Sequence, residues 1–163
     1  MEKKVLVSYF SATGRTAGLA KTIARLTGGE IFEIKPVNPY TAKDLDWTNE
    51  ESRSCREMKD SECRPKILDK VKDFDSYGIV FIGFPIWWYQ APRIIETFIQ
   101  EYDFSGKILI PFVTSGGSGV GKSDDILKFL CKGNPKWLSG RRMEPDESTE
   151  SIKKWLEGLL IEV

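Results

Sequence analysis

The 163-residue chain contains no histidine. This removes the side chain that titrates nearest neutrality, which is both the usual general base and the commonest metal ligand. Cysteine is scarce: Cys55, Cys63 and Cys131 are an odd number with no C-x-x-C pair. They suggest neither a disulfide framework nor a zinc site, and a thiol nucleophile would lack its histidine partner. Cys131 falls on an apolar helical stripe and reads as a semi-buried thiol. Charge of one sign is missing too, with 24 Lys and Arg against 24 Asp and Glu. A nucleic-acid-binding face needs a basic excess, so none is expected. No apolar run nears the roughly 18 residues of a membrane span, and the run after the basic start is too short for a secretory leader. The expectation is a cytoplasmic protein with no nucleic-acid, membrane or metal ligand.

What is present is ordinary globular composition, 40% apolar and 29% charged, and residues 1–163 read as a single domain. "KKVLVSYF" reads as a strand closed by Ser11 and Gly14, and Leu19, Ala20, Ile23 and Ala24 recur at helical spacing up to Gly28 and Gly29. "EIFEIKP" is a second strand, broken by Pro36 and Pro39. Residues 40–64 are polar and weakly patterned, a loop with a short helix, while Ile67, Leu68 and Val71 predict another helix. "YGIVFIGFPIWWY" is apolar without alternation, as in a strand buried on both faces of a parallel sheet. Pro92 can start a helix whose face is Ile94, Ile95, Phe98 and Ile99. "GKILIPFVTS" is a fourth strand, in which Pro111 belongs at a bulge or where no neighbour needs its amide. Ile126, Leu127, Leu130 and Cys131 form a helical face closed by Gly133, and "KWLSGRRM" predicts one short fifth strand. Ile152, Trp155, Leu156, Leu159 and Leu160 end the chain as an amphipathic helix.

Strands alternating with helices predict an α/β fold, an open parallel sheet with helices on both faces. Ligands of such sheets bind beyond the carboxyl ends of the strands. Three loops belong to that edge. In "FSATGRT", Ser11, Thr13 and Thr16 surround Gly14 where a helix begins, so backbone amides and hydroxyls form a nest for one phosphate, or else merely cap the helix. In "GFPIWWYQAP", three consecutive aromatics cannot all face one core, so at least one of Trp87, Trp88 and Tyr89 is exposed or covers a planar ligand. A hydrophobic plug or the contact of a homodimer is the alternative reading.

The third loop, "VTSGGSGVGKS", matches the G-x-x-x-x-G-K-S phosphate loop of nucleoside triphosphatases from Gly116 to Ser123. Such an enzyme also needs a magnesium-binding aspartate at another strand end, and "VSYFS", "FEIKP" and "FIGFP" offer none. The match therefore reads as a glycine-rich loop that happens to precede Lys122 and Ser123.

Taken together, the loops resemble those of the flavodoxin-like family: "SATGRT" is similar to its S-x-T-G-x-T loop, "GFPIWW" to the second loop of a bacterial group, and "GGSG" to that group's third. The resemblance covers nearly the whole chain. It implies a three-layer sandwich with a five-stranded parallel sheet in order 2-1-3-4-5 and a non-covalent FMN. It implies that Ser11, Thr13, Gly14, Arg15 and Thr16 hold the phosphate. Pro85, Ile86, Trp87, Trp88 and Tyr89 would line the isoalloxazine, with Ser115, Gly116, Gly117 and Ser118 opposite. Electron-carrying flavodoxins are typically strongly acidic, with a glycine in the second loop. This neutral chain has proline and bulky residues in "PIWWYQ", for which positive φ is costly. Those departures favour an NAD(P)H-dependent reductase passing two electrons to a quinone-like acceptor over a low-potential carrier with a protein redox partner. A nucleotide-binding protein or a flavin-free interaction domain is the weaker alternative.

Overall fold

The computed structural model describes residues 4–115 and 123–159. Strands β1 (Lys4–Tyr9), β2 (Glu30–Glu33), β3 (Tyr77–Pro85), β4 (Ile108–Thr114), β5 (Lys136–Trp137) and β6 (Arg141–Met143) form one parallel sheet in order β2-β1-β3-β4-β5. Strand β6 also pairs with β4. Between them run helices α1 (Arg15–Thr27), α2 (Arg53–Lys59), α3 (Arg93–Glu101), α4 (Ser123–Leu130) and α5 (Thr149–Gly158). The alternation of elements predicts the open parallel sheet, and the order β2-β1-β3-β4-β5 is the one the family resemblance implies.

Alternation along the strands divides the core into two layers. Val5, Val7, Phe81, Ile110 and Phe112 pack under Leu19, Ala20 and Ile23 of α1 and Ile152 of α5. Leu6, Val80, Ile82, Leu109 and Val113 pack under Ile94, Ile95 and Phe98 of α3 and Leu127 of α4. Helix α1 stops where Gly28 takes φ 67° and its N–H reaches the carbonyl of Ala24, a left-handed cap that glycine adopts without Cβ strain.

Two expectations need correction. The stretch 66–71 is not helical. Ile67 bridges Pro36 in antiparallel fashion, Leu68 N donates to the Lys35 carbonyl at 2.8 Å, and Val37 N donates to the Lys66 carbonyl at 2.9 Å. Those amides and carbonyls are therefore taken by the segment that leaves β2. The fifth strand is split, with β5 opposite Ile108 and Leu109 and β6 opposite Phe112 to Thr114. The split accounts for Pro111. Lys107 and Leu109 both point their carbonyls toward β5, accepting from Lys136 N and Leu138 N at 2.9 Å. Alternation turns Pro111 the same way, so its missing N–H faces the break between β5 and β6.

Gly83 lies in β3 opposite Tyr9 and Phe112. A Cβ there would collide with the ring of Phe112, which is fully buried. Gly83→Ala should lower unfolding free energy by about 1–3 kcal/mol through overpacking. Urea denaturation is the check.

Candidate functional site

The carboxyl ends of β1, β3 and β4 meet at one edge of the sheet, and the three loops leave from there. After β1, Phe10 N donates to the Gly83 carbonyl at 2.9 Å, holding the chain in register before it turns. Gly14 then takes φ 87°, with nothing within 4 Å of where a Cβ would point. Ser11 Oγ accepts from Gly14 N at 3.0 Å and from Ala17 N at 3.3 Å. Its lone pairs serve the loop, and what it can offer a ligand is its O–H. Thr13, Gly14 and Arg15 are exposed at the mouth. Thr16 is buried instead, with Oγ1 3.1 Å from Oγ1 of Thr114. Of the five phosphate-loop residues, it alone is turned inward.

Two helix N-termini adjoin the loops, and their charges differ. The first turn of α1 has no acidic residue and begins with Arg15, whereas that of α4 carries Asp124 and Asp125. The positive end of a helix favours an anion, and carboxylates in the first turn oppose it. Burial pushes the Asp124 carboxyl above its usual range. On charge alone the N-terminus of α1 suits an anion better than that of α4. Lys122, the lysine of the triphosphatase-like match, lies outside the described residues.

The second loop continues the ladder, since Ile86 N donates to the Thr114 carbonyl at 2.9 Å. Trp87 and Gln90 then exchange both backbone hydrogen bonds, at 2.9 and 3.1 Å, around Trp88 with φ 49° and Tyr89 with φ 65°. Positive φ at both central positions is the hairpin-turn geometry usually given to Asn-Gly. The expectation that bulky residues keep this loop out of the left-handed region is thus corrected. The two paired hydrogen bonds and the fit of Trp87 hold the turn against its strain. Trp87 points inward, edge-on to Phe10 at 5.8 Å and to Tyr40 at 5.6 Å between ring centroids. Trp88 and Tyr89 are 44% and 67% exposed, so two of the three aromatics stand out from the core, and Pro85 and Ile86 are half-buried.

Only Ser115 of the third loop is described; Gly116, Gly117 and Ser118 lie outside the described residues. Arg142 of β6 grips Ser115 twice, from Nε to Oγ at 3.0 Å and from Nη2 to the carbonyl at 3.2 Å, while pairing with Glu144 at 2.9 Å. Sequence reasoning missed Arg142. The adjacent arginines of "GRRM" hinted at it, but nothing local says that β6 lies beside the end of β4.

It also left residues 40–64 without a role. Tyr40 packs on Phe10 and Trp87 and bonds Glu57 through its hydroxyl. Arg53 lies 3.8 Å over the Tyr40 ring and pairs with Glu57 at 2.9 Å. Burial, reinforced by the Glu57 hydrogen bond and charge, raises the Tyr40 pKa, so the phenol stays protonated. Trp47, 73% exposed, and Trp88 both line a cavity of about 260 Å3, with Leu45, Ser54, Ile86 and Trp87. Among the described residues no cluster of His, Cys, Asp or Glu could hold a metal ion, and no helix is long and apolar enough to cross a membrane.

Known proteins share this fold. The flavodoxin family model matches residues 4–159. Flavodoxin 1 of Escherichia coli (strain K12) is 22% identical over 129 residues, 77% of this chain and 53% of its own length, so the chain spans about half the length of the curated relatives it matches. A crystal structure from Bacteroides eggerthii DSM 20697, of a protein assigned as a flavoprotein, is 44% identical with TM-score 0.91, covering 98% of this chain and 99% of that one. A flavoprotein of Lactobacillus acidophilus NCFM solved in complex with FMN is 21% identical with TM-score 0.68, covering 94% and 99%, a likeness of fold.

Thr114 joins all three loops, and its hydroxyl bond to Thr16 is the part a substitution can remove selectively. Thr114→Val, equal in shape, should cost about 1 kcal/mol of stability. It should also raise hydrogen exchange at the amides of 11–17 while leaving β2 unchanged, as measured by mass spectrometry.

Proposed function

Starting from the premise that the chain belongs to the flavodoxin family, we propose that it holds one FMN non-covalently at this edge and works as a two-electron reductase. Its donor would be NAD(P)H and its acceptor a quinone-type compound. The observation that carries the cofactor assignment is the contrast between the two helix N-termini: α1 is free of acid and bears exposed Thr13, Gly14 and Arg15, while α4 bears two aspartates. That nest suits a single phosphate group, and the chain has no G-x-G-x-x-G for a dinucleotide. The FMN complex of the Lactobacillus acidophilus relative supports the same reading.

Thr13, Arg15, the amides of the first turn of α1 and the Ser11 O–H would hold the phosphate. Thr16 acts through Thr114, keeping the first loop at its distance from the third. Trp88 and Tyr89 offer exposed aromatic faces to the isoalloxazine, with Trp87, Pro85 and Ile86 supporting them. Ser115, fixed by Arg142, would begin the opposite wall that Gly116, Gly117 and Ser118 complete. When bound, FMN supplies reversible hydride and electron chemistry that no side chain here could provide. The protein contributes position, exclusion of water and electrostatics. With no histidine in the chain, exchangeable protons come from solvent.

The electron count rests on charge. Twenty-four basic and 24 acidic residues give no acidic surplus to oppose a reduced, anionic cofactor. The absence of glycine from 85–90 no longer supports the argument, because Trp88 and Tyr89 already adopt positive φ. The three free cysteines suit a reducing cytoplasm.

The chromophore released on denaturation should be FMN, and Thr13→Ala should weaken its binding by about 1.5–3 kcal/mol through loss of a charge-assisted hydrogen bond. Fluorescence titration of apoprotein with FMN measures it. Anaerobic stepwise reduction should proceed in one two-electron step. Two well-separated one-electron steps, with no oxidation of NAD(P)H by quinones, would return the protein to electron carriage.

A further inference from the structure

Ile86, Trp87 and Trp88 of the aromatic loop share a cavity with Leu45, Trp47 and Ser54, which lie outside the three loops. Beside the cavity of about 260 Å3 lies a second of about 350 Å3, lined by Trp47, Glu50, Cys55, Met58, Lys59 and Trp88. Trp47 and Trp88 line both, so the two spaces adjoin at the same pair of indoles. Burying an indole is among the larger gains open to a fold, and leaving Trp47 at 73% exposure forgoes it. Its backbone is nevertheless well anchored. Asp46 Oδ1 accepts from Thr48 N at 3.0 Å, the Trp47 carbonyl accepts from Cys55 Sγ at 3.6 Å, and the Asp44 carbonyl accepts from Ser54 N at 2.9 Å. Trp88 is held by the left-handed turn. Two exposed indoles on fixed supports thus line the same space.

The walls decide what kind of ligand that space takes. They comprise the indoles with Leu45, Ile86, Cys55 and Met58, and their charged side chains are Glu50 and Lys59, one of each sign. A phosphate ester needs a cationic surplus, which this space lacks. Cavities of this volume take small molecules rather than macromolecular partners. We propose that the space lined by Trp47 and Trp88 is the binding site for an uncharged, planar aromatic electron acceptor of the quinone class, built by residues 45–59 against the cofactor's aromatic turn. It deepens the reductase reading above and rests on it. Residues 45–59 thereby become the specificity element of the protein.

Calorimetric titration of oxidised holoprotein with menadione, a neutral naphthoquinone, tests the site without turnover. Saturable binding is expected, weakened about tenfold or more in Trp47→Ala and largely restored in Trp47→Phe. FMN affinity should stay within about twofold of wild type in both. Phe129→Ala, which removes an exposed aromatic on α4, should leave menadione binding intact. Equal menadione affinity in wild type and Trp47→Ala overturns the site. Parallel loss of FMN affinity also overturns it, because the space would then belong to the cofactor. Quinone reduction by NAD(P)H with an unchanged KM in Trp47→Ala sinks the acceptor site but leaves the reductase standing. Menadione binding that depends on Trp47, in a holoprotein that NAD(P)H does not reduce, supports the site and sinks the reductase reading.

Discussion

The site depends on Thr114. Parallel strands end at a common edge, but nothing in a ladder fixes how far apart the departing loops stay. Here one buried threonine does it. Its carbonyl takes the N–H of Ile86 and thereby sets the start of the aromatic loop. Its hydroxyl meets that of Thr16 in the first turn of α1, and the next residue, Ser115, is held by Arg142. Each bond is worth only about 1 kcal/mol net, but leaving a buried hydroxyl or carbonyl unpaired costs more, so the arrangement resists opening.

The other wall is held by charge rather than by backbone. Helix α2 has seven residues, too few to persist alone. Arg93 of α3 stabilises it by donating from Nε to the Glu57 carbonyl at 3.2 Å and from Nη2 to that of Met58 at 2.8 Å, where a short helix leaves acceptors unmet. Arg93 is itself buried and pairs with Glu96 at 3.0 Å, which also meets Arg64 at 3.3 Å. A buried ion pair is weak evidence for stability, because desolvation offsets much of the attraction. Its consequence here is geometric. It seats Cys55 and Met58 where they line the space beneath Trp47.

The aromatic loop shows how far local reasoning reaches. Three adjacent aromatics cannot share one core, and the structure does leave two of them exposed. Which one turns inward depends on Phe10 and Tyr40, brought to Trp87 from distant parts of the chain. The left-handed turn was not legible at all. Trp and Tyr disfavour positive φ, and only the hydrogen bonds between Trp87 and Gln90, with the packing of Trp87, hold them there.

What the sequence by itself determined is whatever burial periodicity and backbone sterics encode. Unalternating apolar runs such as "YGIVFIGF" require a sheet covered on both faces, Gly28 ends α1, and Pro111 demands a bulge or a neighbour that does without its amide. The common edge from which the three loops leave followed from that, as did the exposure of at least one aromatic among residues 87–89. Tertiary structure decided the rest: that Ile67 pairs with Pro36 instead of coiling, that Thr16 faces Thr114, that Arg142 reaches Ser115, and that residues 40–64 become a wall. The physical reason is common to all four. A hydrogen bond or ring contact between residues far apart in the chain leaves no periodic trace, because its geometry exists only once the sheet has brought both partners to the same edge.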